Sequence, residues 1–237
     1  MKTTAILAAT VAAFLSVSAQ AQTVDEIVAK HITALGGMDN INKVKTIATE
    51  QSLSVQGMEI PTKATIVRNK AMRSESTVMG NSMVQVIDGK TGWMIRPAMM
   101  GGTGDPEDMP AEMLKEQAGQ LDPFGSLVNY KDKGYTVELV GKEQVDKKDV
   151  YHLKLSGVGG TSFDEYLDAN TYLISKIKRN MNGQAGEIAL TDYQDVQGVK
   201  LPKTLEIVGP MGTMTMTTDK VTINGPVDES IFKKPGK

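Results

Sequence analysis

Two histidines, His31 and His152, and no cysteine limit the chemistry that this chain can assemble. A hydrolase needs a nucleophile seated beside a base, and neither a G-x-S-x-G turn nor an H-E-x-x-H helix occurs. His31 falls on the apolar side of a helical pattern and His152 inside an alternating strand pattern, where structural histidines sit. Zinc held through cysteine is excluded, and two histidines so far apart are a weak basis for a metal site. Gly89-Lys90-Thr91 imitates the end of a phosphate loop, but Val84 stands where the upstream glycine is required, so it reads as a hairpin. Gly157-Val158-Gly159-Gly160 lacks the strand-to-helix setting of a nucleotide loop and reads as a flexible turn. Asp105, Glu107, Asp108 and Glu112 are able to bind calcium or pair as carboxylates, yet acids also gather at helix N-termini to oppose the helix dipole, the role expected here. No catalytic residue, metal or cofactor is assigned, and the chain is read as a non-enzyme.

The more distinctive residues are methionines. Met94, Met99, Met100, Met109 and Met113 share the stretch MIRPAMMGGTGDPEDMPAEML, and Met211, Met214 and Met216 form a second group. Methionine is unbranched and polarizable, so such a cluster beside glycines makes a re-packable apolar surface. It also fills gaps in an aromatic-poor core, and the pattern leaves both readings open. The candidate ligand-binding set is Met72, Met79, Met83, Trp93, Met94, Met99, Met100, Met109, Met113, Leu114, Phe124, Met214 and Met216. As the sole tryptophan, Trp93 is suited to stack on a ligand or to anchor a wall.

A positive Lys2, the apolar run AILAATVAAFL and Ala19-Gln20-Ala21 form a cleavable signal peptide over residues 1–21, so the mature chain is expected to begin at Gln22 in the periplasm. The apolar run is too short for a membrane anchor, no later stretch reaches the roughly twenty residues that spanning requires, and lipidation through cysteine is impossible. Residues 22–237 contain no Pro-, Ser- or Gly-rich linker and are expected to form a single domain and a monomer. A net charge of −2 gives nucleic-acid binding no electrostatic basis.

These residues must be positioned by elements the patterning predicts. Thr23-Val24-Asp25-Glu26 is a capping box opening a helix whose apolar face carries Val24, Ile27, Val28, His31 and Leu35 and which Gly36-Gly37 stops. A short helical turn follows at Met38 to Val44. From Thr46 the period becomes two, and about eleven antiparallel strands are expected on either side of a helical insertion. In that insertion Asp105-Pro106 is expected to cap a helix carrying Met109, Met113 and Leu114 and ending at Gly119, with a second helical piece from Asp122 or Pro123 to Asn129. The fold class is mainly β (α+β): a strongly curved antiparallel sheet forming an unclosed β-barrel with helices as plug or lid.

The order of helix, strands, helical insertion and further strands resembles the periplasmic lipoprotein carrier LolA and the outer membrane lipoprotein-sorting superfamily. The Leu35-Gly36-Gly37 helix end, the Asp88-Gly89-Lys90-Thr91-Gly92-Trp93 hairpin, Asp122-Pro123-Phe124, the Asp168-Ala169-Asn170-Thr171 turn and the Val227 to Pro235 ending all suit it. The resemblance covers nearly the whole mature chain through short, turn-like motifs. It implies an apolar interior that shelters acyl chains of lipoproteins or lipids, a helical lid, and an arginine that controls lid closure, for which Arg68, Arg73 and Arg96 are the candidates. Donor and acceptor partners would be envelope proteins.

An acyl chain of about fifteen methylenes contributes on the order of 12 kcal/mol on leaving water, so such cargo needs shelter and yet must be released. Loose methionine walls and a movable segment from Met94 to Gly119 would meet both needs. The leading expectation is a periplasmic carrier for lipidated or other acyl-chain ligands in outer membrane biogenesis. The alternatives are an interaction or sensor module that uses the curved sheet, and a hydrolase of unfamiliar site.

Overall fold

The computed structural model describes residues 22–157, 160–181, 183–210 and 212–236. The expected signal segment, together with Val158, Gly159, Asn182 and Met211, lies outside the described residues. The capping box forms as predicted: Glu26 N–H donates to Thr23 Oγ1 at 3.3 Å and Thr23 N–H to Glu26 Oε2 at 2.9 Å, opening α1 (Val24–Ala34). Gly36 ends it with φ +115°, and a β-carbon there would lie 2.0 Å from Gly198 O, so only glycine lets the turn approach that hairpin. A short α2 (Met38–Lys43) follows.

The strands are β1 (Thr46–Val55), β2 (Met58–Val67), β3 (Ala71–Val78), β4 (Asn81–Asp88), β5 (Thr91–Ile95) and β6 (Glu107–Asp108). After α3 (Ala111–Gln117) come β7 (Thr136–Val145), β8 (Lys148–Ser156), β9 (Ser162–Asp168), β10 (Ile174–Met181), β11 (Gln184–Val196), β12 (Val199–Gly209) and β13 (Gly212–Ile223). They make one antiparallel sheet of 13 strands in the order β6-β5-β4-β3-β2-β1-β13-β12-β11-β10-β9-β8-β7, unclosed because its edge strands β6 and β7 do not pair. The sheet is two meanders joined at their centre by β1 and β13. Since β6 and β7 stand at opposite edges, residues 109–135 must cross from one side of the sheet to the other.

That crossing strap and α1 and α2 cover one face, called here the inner face. α1 places Ile27 and Val28 against Leu153, Leu155, Leu167 and Ile174, while Leu35 and Ile41 pack with Ile47, Val199, Ile223, Phe124 and Val128. The opposite, outer face of β3 to β5 is covered by the C-terminal segment, where Phe232 joins Ala71, Val84, Val86 and Trp93.

The strap departs from its expected form twice. Glu107 and Asp108 pair with Met94 and Trp93 as a strand, so the helix begins only at Ala111 after Pro110, and Met109 lies ahead of it. From Asp122 to Asn129 there are turns in place of a helix. The Asp122 carboxylate accepts from Phe124 N–H, and Gly125 and Asn129 adopt positive φ, both of which compete with helical pairing.

Candidate functional site

Residues paired across antiparallel strands share a face, so the register sorts the inner surface into rows. The deepest row in the centre is apolar: Met72, Ile66, Ile47 and Ile223. The next is Ser74, Ala64, Thr49 and Val221, and after it Met83, Ser76, Thr62, Gln51 and Thr218. Apolar character then returns with Ile60, Leu53, Met216, Leu205 and Leu190. A cavity of about 260 Å³ lies over these rows, walled by Ile47, Ile66, Met72, Leu201, Leu205, Met216 and Val221, with Thr49, Gln51, Thr62, Ser74 and Thr218 in its floor and Gln120 and Pro123 of the strap above. None of its lining residues is charged.

The strap is fastened beside this cavity. Arg68, just past β2, donates from Nη1 to Ile41 O at 2.7 Å, lies 3.3 Å from Asp122 Oδ1 through Nε, and holds its guanidinium 5.0 Å over the Phe124 ring. Asp122 meets a second cation, Lys133 Nζ, at 2.6 Å. Of the three candidate arginines, Arg68 alone is fixed to the strap segment that roofs the cavity. Arg73 is on the outer face, bonded to Glu75 and to Ile231 O and lying over Trp93. Arg96 pairs at 2.6 Å with Glu107 at the far edge.

The structure does not gather the candidate methionines into one surface. Met72 and Met216 line the cavity. Met109 is buried with Met72 and Ile87, and Met113 and Leu114 of α3 pack on that group behind the cavity. Met83, Met94 and Met214 share the inner face, but Met94 is fully buried, so the stretch from Met94 is anchored at two of its methionines. Phe124 is core beneath Arg68. Trp93 points to the outer face, its Nε1 donating to Phe232 O at 2.8 Å, because its parity on β5 is opposite to that of Met94. Met79 stands exposed at the β3–β4 turn, and Met99 and Met100 are exposed in a 3₁₀ turn. The wall residues missed by a search for methionines, Ile47, Thr49, Gln51, Leu201, Leu205 and Val221, follow from strand alternation once the register is known.

The polar groups that a catalytic reading would need are dispersed. His31 is buried, its Nδ1 2.8 Å from Tyr172 O, and burial pushes its pKa down to about 4, so it is neutral. His152 lies on the outer face, 2.8 Å from Asp164 and 3.1 Å from Glu143 and stacked on Tyr166. Glu107 and Asp108 are tied to Arg96 and Lys234, and among the described residues no group of three His, Asp or Glu side chains is placed to hold a metal. Glu165, as fully buried as His31, lies on the inner face between Leu153 and Ile177. Burial pushes its pKa up to about 8 against the opposing effects of Lys133 and a Ser126 hydrogen bond. A larger depression, about 450 Å³ beside Phe163, Lys178, Arg179 and Glu187, opens broadly at the sheet rim and lacks enclosing walls.

The site thus consists of an unclosed antiparallel sheet, helices and a strap that cover one face, and an uncharged cavity between them. No family model matches the sequence, and no curated protein sequence does. Solved structures do match. A domain from Vibrio parahaemolyticus described as outer membrane lipoprotein-sorting is 14% identical over 88% of this chain and 95% of its own, with TM-score 0.59. A DUF1329 family protein from Desulfovibrio piger is 13% identical over 89% and 97%, with TM-score 0.61. A LolA superfamily protein from Nitrosomonas europaea is 11% identical over 87% and 96%, with TM-score 0.58. The chain therefore has the LolA-like fold, as its turns and helix end led us to expect.

Proposed function

We propose that this protein is an exported binding or carrier protein for acyl-chain ligands, with the acyl chains of lipoproteins or lipids as cargo. The observation that supports this most is the uncharged cavity between the inner sheet and the strap, walled by Ile47, Ile66, Met72, Leu205 and Met216. Its volume of about 260 Å³ is a little below the roughly 300 Å³ at which small-molecule sites begin. The partly exposed Leu53, Leu190 and Ile207 extend the apolar surface beyond it. The fold shared with a lipoprotein-sorting domain is consistent with this reading.

Among the described residues no helix is long and apolar enough to cross a membrane. Together with the signal-like N-terminus this favours release into the periplasm, and N-terminal sequencing of the exported form should read from Gln22. Retention of Met1 in a membrane fraction would overturn that placement.

The binding test is a fluorescent fatty-acyl probe. The parent protein should bind it with an affinity that rises with chain length, and Met216→Glu, which puts a charge in the cavity wall, should weaken binding at least tenfold while circular dichroism is unchanged. Failure of the parent to bind any acyl probe would remove this reading and favour an envelope interaction module acting through the sheet.

A further inference from the structure

We propose that the two hydroxyl-bearing rows crossing the cavity floor recognise an uncharged carbonyl, the ester or amide joining an acyl chain to the rest of its molecule. The proposal rests on the acyl-binding reading above and adds that the cavity selects acylated compounds over plain hydrocarbon. Along the strands the floor is banded: an apolar row through Ile47, a mixed row in which Ser74 and Thr49 alternate with Ala64 and Val221, a polar row through Gln51, and an apolar row through Leu53. Successive rows are two residues apart, about 7 Å, so the polar band is narrow and has hydrocarbon-like surface on both sides. A ligand lying along the strands thus meets apolar, polar and apolar wall in turn.

Hydrogen bonding within the band is incomplete. The Thr49 hydroxyl oxygen has no partner and is covered by its neighbours, so a turn of the side chain about Cα–Cβ is what would bring it to a ligand. Gln51 Nε2 donates to Thr218 Oγ1 at 3.1 Å, which leaves the Thr218 hydroxyl proton free to donate elsewhere. Ser74 adds a further hydroxyl to the lining. A carbonyl oxygen with two lone pairs accepts from these hydroxyls, whereas a saturated chain leaves them unsatisfied. No cation lines the cavity, so a free carboxylate or phosphate would be buried unpaired there. The matching group is polar and neutral.

The test displaces a bound fluorescent acyl probe with fatty methyl esters, fatty N-methyl amides and n-alkanes of equal heavy-atom length, delivered from cyclodextrin. The parent should prefer ester and amide by about tenfold, the scale of one well-made hydrogen bond. Thr49→Val should erase most of that preference, and Thr49→Ser should keep it. The parent's ligand series stands even if the valine variant fails to fold. Equal displacement by esters and alkanes overturns the carbonyl proposal and leaves the carrier reading intact, whereas no displacement by any member overturns both. A lysophospholipid and an N-acylated peptide of the same chain length, each set against its carbonyl-free alkyl analogue, show which source supplies the carbonyl. Preference for either supports the proposal, and preference for neither counts against it.

Discussion

Glu165 carries a proton at neutral pH only while the chain is folded, because its carboxyl lies between Leu153 and Ile177 and its pKa rises from 4.5 to about 8. Between those values the folded state holds a proton that the unfolded state has lost, so stability falls as pH rises. His31 works in the opposite sense. Its pKa falls from 6.5 to about 4 on folding, so its contribution is lost as pH drops through that window. The two slopes oppose each other between pH 4.5 and 6.5, and Glu165 alone acts above that. Denaturant melts should therefore show stability level to mildly acidic pH and then falling by about 2 kcal/mol toward pH 8. Glu165→Gln should abolish the fall, and persistence of the slope in that variant would assign it to another group. Gly36 makes a simpler case. Gly36→Ala should cost about 3 kcal/mol, since both its φ of +115° and the Gly198 carbonyl refuse a β-carbon. A melt within 0.5 kcal/mol of the parent, on the order expected for surface changes, would show that the hairpin yields.

The strap is the element on which function turns in the proposed reading, and its anchors differ along its length. Arg68 and Lys133 converge on Asp122, so Arg68→Met should cost about 3 kcal/mol and speed amide exchange over residues 118–125 while exchange in the central strands holds. Exchange that stayed slow there would mean that Phe124 and Val128 packing fixes the strap unaided. Much of the fold was legible because alternation along β1 to β5 and β7 to β13 and the glycine turns between them are local signals. The failures also have local causes. Asp105-Pro106 looked like a helix start, but Glu107 and Asp108 gain more as partners of β5. Asp122-Pro123 looked like another, but that carboxylate is taken by Arg68, Lys133 and Phe124 N–H. The lining of the cavity was legible only in part: Met72 and Met216 stand out by residue type, whereas Thr49, Gln51 and Leu205 acquire meaning only from cross-strand register. Trp93 shows the limit most plainly, since one residue of parity sends it to the other face.

At the scale of the molecule, the sheet is two meanders whose only mutual pairing among the described residues is β1 with β13, from Ile47 with Ile223 to Val55 with Met214. Each meander is built of hairpins, whose partners are close in sequence, but the seam joins residues separated by most of the chain and carries a large loop-closure cost. Folding should accordingly be slow at the seam. A chain ending at Gly209 should lack cooperative unfolding and be cleaved readily by protease, and a cooperative melt from that truncation would show that β1 to β12 suffice. The cavity itself straddles the seam, taking Ile47, Thr49 and Met72 from the first meander and Leu205, Met216 and Thr218 from the second. For a polypeptide that emerges from a ribosome or a translocation channel N-terminus first, the binding chamber does not exist until its thirteenth strand has arrived. On the proposed carrier reading, cargo cannot board a half-made chain, and loading must wait until the whole sheet has been assembled.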